Sequence, residues 1–396
     1  MRIRTYRHAS RRGLAFGVRT TSYDAIIVGG GPSGSTCARV LTAAGARVAV
    51  VDRAMFPRVK LCAGWVSPGI WHALDLAAAE YTGGLWEWRT CHVRYRERIH
   101  AIACHGWFIR RCELDDFLLR RSGADLHLGV AIKHVERGAD GIWSIDGLRA
   151  RFLIGAGGTH CPVAKLLAPA RPKPPVGVQE LELESDASAI ERTRLGDDGE
   201  PELLLFDDGG GYGWNVPKSS WLNVGCGTLD ANDVRRAWRS TLGYLRAAGH
   251  VPVALAPELA RAKGHTYYLF APAHLDRAAV VDDDGRGGAF LVGDALGLAH
   301  PITAEGILPA VISGRHLGRA IAAGDPASYV DRLRRDPVLA DYRRLHAAIA
   351  IAGALRRRWP ARRGLPISQR LVARSFAWMF SGAQLPVPRL LDRLLV

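Results

Sequence analysis

The sequence lacks the features of a disulfide-rich, metal-binding or membrane-spanning protein. Its seven cysteines are odd in number and scattered, with no CxxC pair and no cysteine–histidine spacing that suits zinc. This predicts neither a disulfide framework nor a metal site, and it favours a reducing, cytoplasmic compartment. The longest apolar run near the C-terminus, residues 345–355, is well short of the roughly 20 residues that span a bilayer.

Acidic residues are missing from the first twenty positions, which contain six arginines. We interpret residues 1–22 as a basic arm outside the fold, and this arm lacks the apolar core of a secretory signal. No nucleic-acid module motif accompanies the net charge of +15, so no nucleic-acid partner is expected. Aromatic and apolar side chains lie in or just after a second basic stretch, residues 356–374: Trp359, Phe376, Trp378, Met379 and Phe380. Two interpretations stay open, solvated charge and peripheral contact with a membrane surface.

Residues 23–53, YDAIIVGGGPSGSTCARVLTAAGARVAVVDR, have the pattern of a β-α-β unit. Apolar runs at 25–28 and 48–51 predict buried parallel strands, and small residues at 33–44 predict a helix that ends at Gly45. Gly29, Gly31 and Gly34 have the GxGxxG spacing of a dinucleotide-binding fingerprint. They permit a tight turn, a close approach to a pyrophosphate and close helix–strand packing, and Asp52 is placed to accept hydrogen bonds from a ribose.

The hydrophobic pattern of the sequence changes twice further along the chain. Residues 151–165 predict another buried strand and turn. Between 170 and 280, prolines, alternating segments such as PELLLFDD and a glycine cluster at 209–213 predict an inserted antiparallel sheet. Residues 288–297 return to a buried strand and loop, residues 306–321 predict a helix, and the chain after about 327 has a helical pattern.

Three segments resemble one class of flavoproteins. LVGDALGLAHPITAEGILPAVISGRHLGRAI, residues 291–321, resembles the second FAD motif of para-hydroxybenzoate hydroxylase-like monooxygenases and geranylgeranyl reductases. GYGWNVPKSSWLNVGCG, residues 211–227, is similar to the G-Y-x-W-x-x-P-K segment of the geranylgeranyl reductase group. KLCAGW, residues 60–65, falls where that group has a K-x-C-G-G loop, with Ala63 in place of the first glycine. The resemblance runs from about residue 23 to 325.

This resemblance implies FAD as the cofactor. In that class the residue matching Asp294 hydrogen-bonds the ribityl chain, and the proline matching Pro301 packs beside the flavin. The helix that starts near Gly306 directs its N-terminus at the pyrimidine edge of the flavin. Arg111 is either a contact to the FAD phosphates or ribose, or a member of a surface ion pair. The expected cofactor-binding residues are Gly29, Gly31, Gly34, Asp52, Arg53, Arg111, Gly293, Asp294, Pro301, Gly306 and Ile307.

The resemblance also implies the substrate side of the site. Its expected catalytic residues are Cys62, Tyr212 and Trp214. Tyr212 and Trp214 would line an apolar substrate cavity that faces the flavin. Cys62 is either a buried structural thiol or a proton donor placed against the flavin, and both alternatives stay open.

The implied function is an FAD-dependent oxidoreductase that reduces C=C bonds of an isoprenoid or other lipid by flavin hydride transfer. Two alternatives stay open, a monooxygenase (hydroxylase) of the same class and a membrane-associated flavin electron-transfer protein. The expected partners are an apolar small-molecule or isoprenoid lipid substrate and an external electron donor, which is NADPH, ferredoxin or quinol. Gly157 and Gly158 stand where this class commonly has Asp-Gly, which puts direct reduction by NAD(P)H in doubt.

The predicted fold class is therefore α/β, with a Rossmann-type FAD-binding domain, an inserted antiparallel β-sheet substrate domain and C-terminal helices. The FAD-binding domain is expected at residues 23–165 and 276–325. The substrate domain is expected at residues 166–275, with strands contributed from about 85–110. Residues 326–396 are expected to form a C-terminal helical region.

Overall fold

The chain folds into two sheets and a set of covering helices. The computed structural model describes residues 21–169, 175–193, 200–259, 261–358, 369–380 and 382, and most of the predicted basic arm lies outside these ranges. The strands, in chain order, are β1 (Thr21–Val28), β2 (Val48–Asp52), β3 (Trp65–Val66), β4 (Leu85–Tyr95), β5 (Arg98–Ile109), β6 (Asp125–Leu128), β7 (Val135–Arg137), β8 (Trp143–Ile145), β9 (Leu148–Gly155), β10 (Val176–Glu184), β11 (Glu202–Leu205), β12 (Gly211–Lys218), β13 (Trp221–Thr228), β14 (Lys263–Tyr267), β15 (Ala279–Val281) and β16 (Gly288–Leu291). The helices are α1 (Pro32–Ala43), α2 (Gly69–Ala73), α3 (Arg111–Arg120), α4 (Pro162–Leu167), α5 (Ala187–Glu191), α6 (Val234–Ala247), α7 (Ala256–Leu259), α8 (Ile307–Ala322), α9 (Tyr329–Arg335), α10 (Pro337–Arg358) and α11 (Gln369–Phe380).

The first sheet is largely parallel and contains the predicted nucleotide fold. Its order is β15-β16-β9-β1-β2-β6, and β8 and β7 extend it from β9. β1 pairs in parallel with both β2 and β9, and Ile26 and Ile27 within it are fully buried. Continuous burial is expected of a central parallel strand whose two faces are both covered. The predicted strands at 25–28 and 48–51 are confirmed, and β1 begins earlier, at Thr21, within the expected arm.

Small residues let α1 and α8 pack closely against each other. A Cβ atom on Gly314 would lie 2.2 Å from the carbonyl oxygen of Ser33, and one on Gly318 would lie 2.7 Å from Cβ of Val40. Real Cβ atoms do not approach other heavy atoms this closely, so both positions require glycine. The close contact joins the central part of α8 to α1 along the length of α1.

The second sheet has the order β14-β10-β13-β12-β11-β4-β5-β3 and is antiparallel apart from the β4–β11 pair. The predicted inserted antiparallel sheet is therefore confirmed, and β4 and β5, at residues 85–109, belong to the same sheet. β3, at residues 65 and 66, adds an edge strand that was not predicted. The mixture of a parallel sheet, an antiparallel sheet and helices confirms the predicted fold class.

Helix α11 packs against the second sheet. Phe376, Met379 and Phe380 are 7 %, 8 % and 4 % exposed and belong to one core cluster with Trp88 and Phe108. Because the sheet buries these three side chains, they do not supply the aromatic surface on which the membrane interpretation depended. Trp359 lies outside the described residues. Within the described ranges, every helix is either too short or too polar to cross a bilayer.

Candidate functional site

A cleft of about 460 Å³ is lined by residues of both sheets. The first sheet contributes the turn after β1, the end of β2 and the segment 156–160 that follows β9. The second sheet contributes residues of β10, β12 and β14, and the segments 58–63 and 303–307 also line the space. Cofactor and substrate residues predicted from distant parts of the sequence therefore share one cleft.

Each of the three fingerprint positions holds glycine for a different structural reason. Gly29 has φ +116°, and a Cβ there would lie 2.4 Å from the carbonyl oxygen of Ala156. A Cβ on Gly34 would lie 2.0 Å from the carbonyl oxygen of Gly29. Gly31, by contrast, faces the cleft, and the nearest atom to its Cβ would be Nη2 of Arg58 at 3.5 Å. The first and third glycines are needed by the chain itself, whereas the second leaves an open cradle.

Helix α1 begins directly after this cradle. Gly31 is its N-cap residue, and no side chain of the described chain caps this end. The first N–H groups of an uncapped helix and the positive end of its dipole favour a bound phosphate. At the end of β2, Asp52 Oδ2 accepts a hydrogen bond from Gly30 N at 2.8 Å and Oδ1 accepts one from Ala54 N at 2.9 Å. These bonds fix the carboxylate at the cleft, where it can accept hydrogen bonds from a ribose.

Arg111 forms a buried ion pair at the cleft wall. Its Nε and Nη2 donate to the two carboxylate oxygens of Asp115 at 2.8 and 2.9 Å, and Arg58 Nη2 lies 3.1 Å from the same carboxylate. Asp115 is fully buried. Burial opposes the charge of Arg111, but the Asp115 carboxylate and then the Cys62 thiol outweigh this cost and raise the pKa of the guanidinium. Arg111 therefore forms an ion pair, as one of the two alternatives expected, but the pair is buried and not on the surface, and the contact of Arg111 with FAD stays a prediction.

The second flavin motif lies on the opposite part of the cleft. Asp294, in a single turn of 3₁₀ helix after β16, lines the cleft, and burial raises its pKa against the opposing charges of Lys60 and Arg111. Gly306 is the N-cap of α8, and this end also has no side-chain cap from the described residues. A Cβ on Gly306 would lie 3.1 Å from Asp294 Oδ1. Two uncapped helix N-termini, those of α1 and α8, therefore meet in one cleft.

Aromatic side chains on the second sheet form the remaining wall. Tyr212 and Trp214, on the same face of β12, have ring centroids 5.8 Å apart. The Tyr212 hydroxyl donates to the carbonyl oxygen of Thr303 at 2.5 Å, and Trp214 Nε1 donates to Asn223 Oδ1 at 2.7 Å. The ring of Phe380, from α11, lies 5.8 Å from that of Tyr212. Both predicted aromatic residues thus line the cleft, with their polar atoms satisfied.

Cys62 lies in a loop tied to this wall. Asn223 Nδ2 donates to the carbonyl oxygen of Cys62 at 3.1 Å, and Gly64 N donates to the Cys62 sulfur at 3.3 Å. Gly64 has φ +72°, whereas Ala63 has no positive φ. Alanine in place of the first loop glycine therefore causes no backbone strain, because the left-handed conformation falls on the second. Cys62 is half-buried and lines the cleft, so it is not a thiol enclosed in the core.

An unpaired acid also faces this cleft. Glu180, on β10, is 1 % exposed, and neither carboxyl oxygen has a hydrogen-bond partner in the described part of the chain. Burial raises the pKa of Glu180 to about 7 despite the opposing charges of Lys60 and Lys218. His265, on the adjacent strand β14, has Nδ1 3.9 Å from Glu180 Oε1. Burial, with the nearby charges of Lys60 and Arg111, lowers the pKa of His265 to about 3.

The cleft fits a dinucleotide that contains a flavin. The open cradle at Gly31 and the N-terminus of α1 suit a pyrophosphate, and Asp52 suits a ribose. The N-terminus of α8 suits a ring that gains negative charge on reduction, as a flavin does near N1 and O2. In the described residues, no cluster of histidine, cysteine and carboxylate side chains could hold a metal ion.

Residues 22–68 match the model of a family described as FAD binding domain. The chain is 29 % identical over 356 residues to a menaquinone reductase of Mycobacterium tuberculosis, which covers 79 % of this chain and 81 % of that protein. It is 28 % identical over 324 residues to a geranylgeranyl diphosphate reductase of Rhodobacter capsulatus, with 77 % of each chain covered. This chain is an FAD-dependent oxidoreductase. The predictions of FAD as cofactor and of a resemblance to the geranylgeranyl reductase group are confirmed.

Solved structures are similar to this flavoprotein in fold. A geranylgeranyl bacteriochlorophyll reductase-like protein of Thermoplasma acidophilum has a TM-score of 0.59 and 18 % identity, with 93 % of this chain and 94 % of that chain covered. A myxobacterial chondrochloren halogenase, an FAD-dependent enzyme, has a TM-score of 0.61 and 19 % identity, with 93 % and 92 % covered. The fold therefore occurs in both reductase-like proteins and halogenases, and it does not by itself select the reaction.

Most of the predicted site residues of the flavoprotein meet in the cleft. Those that line it are Gly29, Gly31, Asp52, Arg53, Cys62, Arg111, Tyr212, Trp214, Asp294, Gly306 and Ile307. Gly34, Gly293 and Pro301 do not belong to this lining. Gly34 packs against Gly29, and a Cβ on Gly293 would lie 2.8 Å from Ser33 Oγ. Gly34 and Gly293 thus pack behind the lining, Pro301 is buried outside it, and the individual role of every site residue stays a prediction.

Several cleft residues had no signal in the sequence strong enough to predict them. Glu180 lies in the alternating segment VGVQELELE, which indicates only a strand with one polar face. His265 is separated from it by 84 intervening residues and becomes its neighbour only through the pairing of β10 with β14. Lys60 stands in the loop that resembles the K-x-C-G-G motif, and that position was the available signal. Phe380 could not be placed because nothing in its helix indicates which sheet the helix covers.

Proposed function

We propose that this flavoprotein reduces C=C bonds of an isoprenoid substrate by hydride transfer from its FAD. The observation that carries the proposal is the continuity of the cleft, which joins the open cradle at Gly31 to the aromatic wall at Tyr212 and Trp214. Similarity to a menaquinone reductase and to a geranylgeranyl diphosphate reductase supports a prenylated substrate. An isoprenoid chain is apolar along its length, so burying it against aromatic rings is favourable.

Each group in the cleft has a separate role in the proposed reduction. When bound, FAD supplies the hydride that alkene reduction requires. The rings of Trp65, Tyr212, Trp214 and Phe380 provide apolar surface on which a prenyl chain can lie without water. Cys62 is placed in the same lining and carries a thiol proton, which makes it the candidate donor to the second carbon of the double bond. An external reductant, either NADPH, ferredoxin or quinol, completes the cycle.

Anaerobic turnover tests the proposal. The purified FAD-loaded protein is photoreduced without oxygen, so that the identity of the natural electron donor does not matter, and a geranylgeranyl lipid is then added. We expect reoxidation of the flavin that depends on the lipid, together with a product that has gained two hydrogen atoms per reduced double bond. Hydroxylated product formed only with oxygen would favour a monooxygenase instead. Reoxidation by electron carriers alone, with no change in the lipid, would favour an electron-transfer protein.

The role of Cys62 makes a separate prediction. Cys62→Ser should bind FAD normally but lose alkene reduction by about a hundredfold or more, since positioned acid catalysis contributes factors of that order. Single-turnover reoxidation of the photoreduced protein by the geranylgeranyl lipid measures the effect. Cys104→Ser is the matched control, because Cys104 is also half-buried but lies outside the cleft lining. Equal rates in wild type and Cys62→Ser would show that the thiol is not the proton donor.

A further inference from the structure

Glu180 is a buried acid that the fold leaves without a partner. It points into the cleft from β10, is 1 % exposed, and has no hydrogen bond to either carboxyl oxygen from the described chain. Glu202, a comparably buried acid outside the cleft, is satisfied: it accepts a hydrogen bond from the Tyr244 hydroxyl at 2.9 Å and pairs with His250 Nδ1 at 2.9 Å. An unsatisfied buried polar group costs free energy, so its retention at a cleft wall indicates a ligand that supplies the missing bond.

His265 completes a small polar surface beside Glu180. Its Nδ1 has no hydrogen-bond partner among the described residues and lies 3.9 Å from Glu180 Oε1, beyond hydrogen-bond distance. The two side chains therefore face the cleft together without satisfying each other. Trp214 lies on the other side, since a Cβ on Gly225 would touch both the Trp214 ring at 2.2 Å and Glu180 Cβ at 2.7 Å. The polar surface thus adjoins the aromatic wall.

The distribution of charge around the cleft limits what this polar surface can bind. The described cationic side chains of the lining are Arg53, Arg58, Lys60 and Arg111, and all four come from the loop after β2 or the start of α3. The part of the lining that the described strands of the second sheet contribute contains no lysine or arginine. A diphosphate group needs cations or a helix N-terminus. The sheet wall instead offers one carboxyl, one imidazole and aromatic rings, which suit an uncharged group.

We propose that Glu180, with His265 beside it, forms a head-group subsite that donates a hydrogen bond to the uncharged oxygen of a prenylated substrate, either a quinone carbonyl or an alcohol. The inference rests on the proposed function, because it assigns the head group of the same isoprenoid substrate. It divides the cleft into an aromatic wall for the chain and a polar end for the head. A prenyl diphosphate would instead have to compete with Glu180 for the charges of Lys60 and Arg111, which already act on this acid.

The protonation of Glu180 gives the subsite a pH dependence. Burial raises its pKa to about 7, so the carboxyl holds its proton and can donate below that pH. As the pH rises through about 7 the proton is lost, and a carboxylate can no longer donate to a carbonyl oxygen. The charged or titratable groups around it are Lys60, Arg111, Glu182, Lys218 and His265. Tyr212 and Tyr267 are also near, and burial raises the pKa of both phenols, so they stay neutral in this range.

Equilibrium binding to the oxidised, FAD-loaded protein tests the proposal without any turnover. Calorimetry compares three ligands that share a geranylgeranyl chain: a naphthoquinone, the free alcohol and the diphosphate. At pH 6 we expect the quinone or the alcohol to bind at least about tenfold more tightly than the diphosphate, and the tighter of the two identifies the head group. The affinity of the quinone should fall as the pH rises from 6 to 9, whereas the alcohol can donate to the Glu180 carboxylate and should keep its affinity. Tighter binding of the diphosphate than of both neutral ligands would overturn the proposal.

Variants of Glu180 separate donation from mere packing. Glu180→Leu should weaken binding of the preferred neutral ligand about tenfold, the factor expected for one lost hydrogen bond. Glu180→Gln keeps an N–H donor that does not titrate, so it should retain binding, and quinone binding should lose its pH dependence. Glu202→Gln changes another buried acid outside the cleft and should leave binding and its pH dependence unchanged. Unchanged affinity in Glu180→Leu would show that Glu180 does not contact the ligand.

The binding result and the turnover result are independent. If the photoreduced protein reduces no isoprenoid but neutral ligands bind in a Glu180-dependent manner, the proposed reaction fails and the subsite stands. If the protein reduces the alkene but Glu180→Leu binds every ligand as wild type does, the reaction stands and the subsite fails.

Discussion

At the scale of single residues, the stability of the protein should depend strongly on a methyl group at one loop position and only weakly on a methyl group at the adjacent position. Gly64 has φ +72°, and a Cβ there would lie 1.9 Å from the carbonyl oxygen of Ile109. Gly64→Ala should therefore lower the free energy of unfolding by at least about 2 kcal/mol, from left-handed strain and a backbone collision. Ala63→Gly should change it by less than about 1 kcal/mol, because position 63 has no positive φ. Urea unfolding of both variants measures the difference, and equal losses would contradict the assigned backbone conformation.

The buried acids of the cleft carry less charge at neutral pH than their number suggests. Burial raises the pKa of Glu305 to about 8 although a hydrogen bond with Ser67 opposes this, and it raises the pKa of Glu180 to about 7. Each acid is therefore a hydrogen-bond donor over part of the physiological range. This property suits a cleft that must hold uncharged, weakly polar groups, since an ionised carboxylate would repel a reduced flavin.

At the scale of elements, strand β13 should tolerate a side chain at one glycine and not at another. A Cβ on Gly225 would lie 2.2 Å from the Trp214 ring, whereas the nearest atom to a Cβ on Gly227 is Val178 Cγ2 at 3.7 Å. Gly225→Ala should displace Trp214 and cost about 1–3 kcal/mol of stability through overpacking. It should also weaken binding of a geranylgeranyl ligand, while Gly227→Ala should do neither. Chemical unfolding and calorimetric binding of both variants provide the measurement.

The two glycine variants test the aromatic wall as one unit. If Gly225→Ala binds the geranylgeranyl ligand like wild type, the ring of Trp214 does not contact the prenyl chain. If Gly227→Ala loses as much stability as Gly225→Ala, the loss in Gly225→Ala does not come from a collision with the Trp214 ring.

Elements could be predicted where their signals were local in the sequence. The fingerprint glycines and Asp52 lie within one β-α-β unit, so spacing alone placed them around one turn. The neighbours of Glu180 could not be predicted, because alternation specifies which residues share a strand face but not which strand lies alongside. The same limit explains why the burial of Phe376 was not predicted, since an apolar helix face can be assigned to the core only when its covering surface is known.

At the scale of the whole molecule, the cofactor site joins parts of the chain that are far apart in the sequence. The cleft is lined by the turn before α1, the loop after β2, the start of α8 and five strands of the second sheet. A ligand that binds only the folded state stabilises it by mass action, by about 2.7 kcal/mol at a hundredfold excess over Kd. FAD should therefore raise the unfolding temperature of the apoprotein in a concentration-dependent way.

A substitution at Gly31 should remove the stabilisation by FAD without damage to the fold. A Cβ at this position would meet only Arg58 Nη2, at the ordinary distance of 3.5 Å, yet it would occupy the open cradle in front of α1. Gly31→Ala should thus change the stability of the apoprotein by less than about 1 kcal/mol, within the effect of an N-cap substitution. Addition of FAD, however, should stabilise the variant far less than wild type. Gly34→Ala should show the opposite pattern, with a less stable apoprotein, because its Cβ would lie 2.0 Å from the carbonyl oxygen of Gly29. Thermal unfolding across a series of FAD concentrations distinguishes the two variants, and equal stabilisation of wild type and Gly31→Ala would place the pyrophosphate away from this turn.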